Sequence, residues 1–109
     1  MRDYLTDFEL MILLAILRVG DEAYGVPVAR EIEKTGGRSV ILGAVYAALD
    51  RLETNGLVSS TLGDSTPARG GRAKRFFRVT PAGLKSVRQT RRALTRLWAG
   101  IAQLEGGRP

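Results

Sequence analysis

The 109-residue chain contains no cysteine and no histidine. Without cysteine there is no disulfide framework, no thiolate metal site and no cysteine nucleophile. Without histidine the commonest general base and the commonest transition-metal ligand are missing. Zinc sites of the usual kinds, Ser-His and Cys-His catalysis and His- or Cys-held haem are excluded together. Long apolar runs are scarce as well. The longest, Leu10 to Leu17, has eight residues, far short of the ~20 that a membrane span needs. Asp3, Asp7 and Glu9 stand where a signal peptide would be positive. The expectation is a soluble, cytoplasmic protein of one domain. A core of this size is modest, and pairing with a second copy is a common remedy.

Acidic residues are absent from one long stretch. Between Asp64 and Glu105 there are ten Lys and Arg and no Asp or Glu. Over the whole chain 17 bases face 11 acids, a net charge of +6. Residues 1–37 are net acidic and residues 38–109 carry thirteen bases against four acids. A basic half on a small domain points to a polyanion, most often nucleic acid, over a merely solvated basic surface.

Local patterns supply the elements. Thr6 with Glu9 three residues on reads as a capping box before an apolar run. Phe8, Met11, Ile12, Ala15, Ile16 and Val19 form one stripe of that helix, and Leu10, Leu13, Leu14 and Leu17 make it apolar almost all round. Such a helix is buried on most sides, which in a small protein suggests a subunit interface. A short second helix opens at Tyr24-Gly25 and ends at Gly36-Gly37. A third runs from about Leu42 or Gly43 to Asn55, with Val45, Ala48, Leu49 and Leu52 facing inward and Gly56 as a left-handed cap. Residues 57–62 and 74–79 read as two strands around the Gly-rich segment 63–73. Thr80-Pro81 starts a long helix, N-cap followed by proline, which the pattern extends to about Leu104. Leu84, Val87, Leu94, Trp98 and Ile101 follow a 3-4 spacing along it, more stripe than one small domain can cover.

The predicted fold is mainly α with a two-stranded hairpin. It is a winged helix-turn-helix over residues 1–80, a dimerisation helix over 81–105 in the same compact unit, and a tail at 106–109. In that arrangement the helix after the turn enters the major groove and the hairpin lies along the backbone.

Three segments then carry a resemblance: Tyr24-Gly25, LGAVYAALDRLETNGLV from Leu42 to Val58, and GGRAKRFFRVTPAG from Gly70 to Gly83. In this order and spacing the chain resembles the PadR family of bacterial transcriptional regulators, in its short form with one C-terminal helix. The match runs from the first helix to Trp98. It implies a homodimer joined through the first and last helices, repressing transcription from a pseudo-palindromic operator. It also implies that a small aromatic effector can loosen the DNA complex, as some relatives sense such compounds. Phe76-Phe77 stands where relatives often carry tyrosines; two hydroxyls are gone while the packing role remains.

The candidate DNA contacts are Arg38, Ala44, Tyr46, Ala47, Arg51, Arg69, Arg72, Lys74 and Arg75. Tyr46 resembles the family's recognition-helix tyrosine, able to donate to a phosphate; packing against the second helix is its other reading. Arg51 reaches phosphate or pairs with nearby acids. Ala44 and Ala47 allow close approach but little direct readout. The arginines and lysine around Gly70-Gly71 suit a groove or a phosphate. Candidate dimer contacts are Phe8, Met11, Ile12, Leu84, Val87, Leu94, Trp98 and Ile101. Trp98 is also the candidate effector residue, stacking on a flat ligand or simply filling the dimer seam. No catalytic residue, metal or cofactor is expected: there is no phosphate-binding or dinucleotide motif, and Asp50 and Glu53 have no partner acid, base or metal ligand. The alternatives are a winged helix that meets an acidic protein partner and a sequence-indifferent DNA-coating protein.

Overall fold

A computed structural model describes residues 4–63 and 74–104. Helix α1 spans Asp7–Val19, and a 3-10 turn over Gly20–Glu22 leads to α2, Gly25–Gly36. Helix α3 is Leu42–Thr54, strands β1 and β2 are Val58–Leu62 and Arg75–Val79, and α4 is Pro81–Trp98.

The expected capping box is present. The Thr6 hydroxyl accepts from the Glu9 amide, and the Glu9 carboxylate accepts from the Thr6 amide. Two orphan donors of the first turn are satisfied. From there α1 runs through the middle of the domain, against α2, α3, β2 and α4. Ile12, Leu13, Ala15 and Ile16 are buried. They meet Val28 and Ile32 of α2, Val45, Ala48, Leu49 and Leu52 of α3, and Val58, Phe77 and Val79 of the hairpin in one core. The inward face of α3 is the one its periodicity predicts.

Helices α1 and α2 are also clamped at the surface. Glu31 accepts from Thr35 Oγ1 and from Arg18 Nε, the latter at 2.8 Å. The Thr35 hydroxyl, and after it Arg18, hold the Glu31 carboxyl below its usual range. This contribution is complete above the ordinary carboxylate pKa and is lost as pH falls through the lowered folded value.

The strands pair antiparallel with Val58 opposite Val79 and Leu62 opposite Arg75. The Phe77 amide also donates to the Ala23 carbonyl at 2.8 Å. That bond ties β2 to the turn before α2, so the hairpin has a fixed place relative to the helix pair. Segment 64–73 lies outside the described residues.

Helix α4 differs from the expectation at its far end. It stops at Trp98, because Ala99 is extended (ψ 139°) and Gly100 takes φ 81°. Ile101 therefore leaves the helix stripe. The start is as expected: Thr80 caps Gly83 N at 3.0 Å and donates to Gly56 O at 2.7 Å. Gly83 sits on the chain after α3, and a Cβ there would come within 2.1 Å of the Leu57 carbonyl oxygen. Neither that backbone nor the capped helix turn can yield easily. Gly83→Ala is expected to destabilise the fold by about 1–3 kcal/mol, the range for overpacking, read as a lower thermal midpoint. An unchanged midpoint would show that this contact is loose.

Candidate nucleic-acid interface

Four buried side chains seat α3 on the core, and this leaves the rest of the helix facing outward. Leu42, Gly43, Ala44, Tyr46, Ala47, Asp50, Arg51 and Thr54 are all exposed. Ala44, Tyr46, Ala47 and Arg51 thus share one open surface, as their spacing predicts. Tyr46 combines its two readings. It is 39% exposed, yet its ring lies on Gly25 so closely that a Cβ there would meet Tyr46 Cζ at 2.3 Å. The glycine at the start of α2 makes room for the ring and aims it past the helix pair.

Lys74, at the loop end of the hairpin just before β2, is placed by Tyr24. Its Nζ donates to the Tyr24 hydroxyl at 3.1 Å and sits 4.2 Å from the Tyr24 ring centroid. Phe76 meets the same ring edge-on at 5.6 Å. Tyr24 is the N-cap residue of α2, so one cluster joins the entry of that helix to the loop end of the hairpin. Sequence reasoning does not place Tyr24 at the site; its only signal there is its position before Gly25.

Two expected DNA contacts are held inside the chain. Arg75 donates to Asp50 at 3.1 Å, to Ser60 at 3.0 Å and to Glu53, and lies over the Phe77 ring. Ser60 in turn donates to Glu53 at 2.6 Å. This network ties the hairpin to α3. Arg38 pairs with Asp7 at 3.2 Å and lies over the Phe8 ring at 5.0 Å, docked on the start of α1. Both guanidiniums are partly engaged within the chain and remain partly exposed, Arg38 through Nη1 alone. Arg69 and Arg72 lie outside the described residues.

The expected dimer residues divide as well. Ile12 is 0% exposed and belongs to the core of a single copy, so it has no surface to offer a partner. Its side of α1 is already covered from within the chain. Phe8, Met11, Leu84 and Val87 are half-buried against the same core. The open apolar residues of α1 are instead Leu14 and Leu17, with Leu10 partly open beside them. On α4 they are Leu94, Leu97 and Trp98, the last 58% exposed. Leu10, Leu14, Val87, Leu94 and Trp98 line one apolar groove of about 470 Å³ between the two helices. Ile101, though off the helix, is partly exposed as well.

Among the described residues there is no group of three or more His, Cys, Asp or Glu able to hold a metal ion, and no helix long and apolar enough to cross a membrane.

Residues 13–89 match the Transcriptional regulator PadR-like family. The chain belongs to that family. It is a DNA-binding transcriptional regulator built on a winged helix. Over 77 residues it is 38% identical to the transcriptional regulator Rv3488 of Mycobacterium tuberculosis, covering 71% of this chain and 67% of that one. The fold is similar to that of a PadR-like transcriptional regulator from Bacillus cereus, with a TM-score of 0.70, 24% identity and 93% of each chain covered. A transcriptional regulator from Clostridium thermocellum matches with a TM-score of 0.72 and 24% identity, over 89% of this chain and 91% of the other.

In this PadR-like regulator the Arg75, Ser60 and Glu53 network joins α3 to the hairpin. A double-mutant cycle of Arg75→Ala and Glu53→Gln is expected to give a coupling of about 0.5–1 kcal/mol, since half-exposed ion pairs are worth no more. Purely additive effects on stability would mean that the pair holds nothing.

Proposed function

We propose that the protein is a homodimeric repressor that binds a pseudo-palindromic operator. The observation that carries this reading is the paired apolar surface of α1 and α4. Leu14, Leu17, Leu94, Leu97 and Trp98 are large hydrophobic side chains left open to water in a single copy, and exposed apolar patches mark interaction surfaces. A two-fold pairing through this surface covers it, since an isologous interface uses the same patch on both copies.

Each copy then presents α3 to one major groove, with half-sites about one helical turn, ~34 Å, apart. Tyr46, Arg51 and Lys74 supply contacts from the described surface, with Ala44 and Ala47 allowing close approach. Arg69 and Arg72 add backbone contacts from the segment between the strands. Arg75 and Arg38 act mainly through the folded frame.

The groove beside Trp98 has the size of a small-molecule site. A flat aromatic effector stacked on Trp98 releases the operator if it binds the DNA-incompetent dimer more tightly than the competent one. The other use of Trp98, as packing in the dimer seam, needs no effector.

A shift assay with the promoter of the protein's own operon tests the reading. Affinity is expected to fall steeply with salt and to exceed that for unrelated duplex. Arg69→Ala with Arg72→Ala is expected to weaken all duplexes alike and to flatten the salt slope by roughly 0.9 per lost phosphate contact. Equal affinity for competitor duplex would favour a sequence-indifferent binder, and binding that ignores salt would favour a protein partner.

A further inference from the structure

Ile41 breaks two local rules at once. It is the N-cap residue of α3, where Ser, Thr, Asp and Asn are favoured because their side-chain oxygen accepts from the free amides of the first turn. Isoleucine has no such oxygen, and no side-chain capping bond is made there. It is also 78% exposed, the most exposed large hydrophobic among the described residues, with Leu42 open beside it. Its side chain serves neither the cap nor the core. Such a local conflict marks a functional position more often than a defect.

The neighbouring residues of α3 narrow that function. From Ile41 to Leu49 the sequence is ILGAVYAAL, in which Tyr46 alone carries a polar side-chain atom. The next polar group, Asp50, is occupied by Arg75. A helix-turn-helix brings the N-terminal residues of its second helix against the base edges. Hydrogen-bonded readout there uses Arg, Lys, Asn, Gln or a carboxylate, and none stands at positions 41–49. The major groove displays one apolar group on a base edge, the 5-methyl of thymine.

We infer that Ile41, supported by Leu42, is a specificity-determining residue that reads thymine 5-methyl groups in the operator. Gly43, Ala44 and Ala47 leave the helix slim enough for these side chains to reach the base edges. Contact with a methyl removes both apolar surfaces from water, which is the interaction an exposed isoleucine at the mouth of α3 can offer and a capping residue cannot. The inference rests on the proposed docking of α3 in the major groove. The patch is continuous with the open face of that helix, which is why DNA, and not a protein groove, is its occupant.

The test starts by selecting the best duplex for the full-length chain from a random-sequence pool. That duplex is then resynthesised with deoxyuridine replacing thymidine one position at a time. Uracil keeps the base pairing and the O4 acceptor and lacks only the methyl. At one or two positions in each half-site the affinity is expected to fall about fourfold, the worth of one buried carbon. Ile41→Ser supplies the missing cap, so it is expected to keep or raise the thermal midpoint while abolishing the methyl effect at those positions. Equal binding of the thymine and uracil duplexes would overturn the inference and leave the DNA-docking reading standing. So would a methyl effect that survives in Ile41→Ser. Failure to select any duplex would overturn both.

Discussion

Helix α1 carries apolar side chains on every face, and a single copy of this chain buries only part of them. Ile12, Leu13, Ala15 and Ile16 are enclosed by α2, α3 and the hairpin. Leu14 and Leu17 remain in water, and Leu14 shares a groove with Leu94 and Trp98 of α4. The enclosed side holds the domain together. The open side is the origin of the proposed dimer, and through it of the spacing between two copies of α3.

The half proposed to face DNA depends on α1 indirectly. Packing on the core fixes the rotation of α3, and that rotation turns Ala44, Tyr46, Ala47 and Arg51 outward. The hairpin is then fixed twice: by the Phe77–Ala23 backbone bond and by Arg75 on Asp50 and Glu53. The first bond is shielded and short. The second is half exposed and contributes modestly to stability. It joins hairpin and helix at their outer surfaces.

Local signals are legible in the sequence, and contacts between distant residues are not. Thr6 with Glu9, Thr80-Pro81 and Gly37 at φ 70° each act within a turn of chain, and each appears where its spacing places it. The inner face of α3 follows from periodicity alone. The acidic partners of Arg75 are 22 and 25 residues away, and that of Arg38 is 31 away. A charge count treats both as free cations. Ile12 shows the same limit for apolar residues. A helix that is hydrophobic all round does not say which side its own chain will cover, so periodicity groups the core residue Ile12 with the interface and leaves Leu14 and Leu17 out. The end of α4 escapes the pattern for another reason. The apolar spacing continues through Ile101, but Gly100 takes a left-handed turn that periodicity does not register.

The central claim is that the open face of α1 and α4 joins two copies and so sets the distance between their reading helices. Sedimentation of Leu14→Glu measures it most directly, because Leu14 is exposed in one copy and a charge there leaves the core intact. The account predicts a folded monomer with the thermal unfolding of an intact domain and no stable operator complex, beside a dimeric parent protein. A Leu14→Glu chain that sediments as a dimer and binds the operator as the parent does would contradict it.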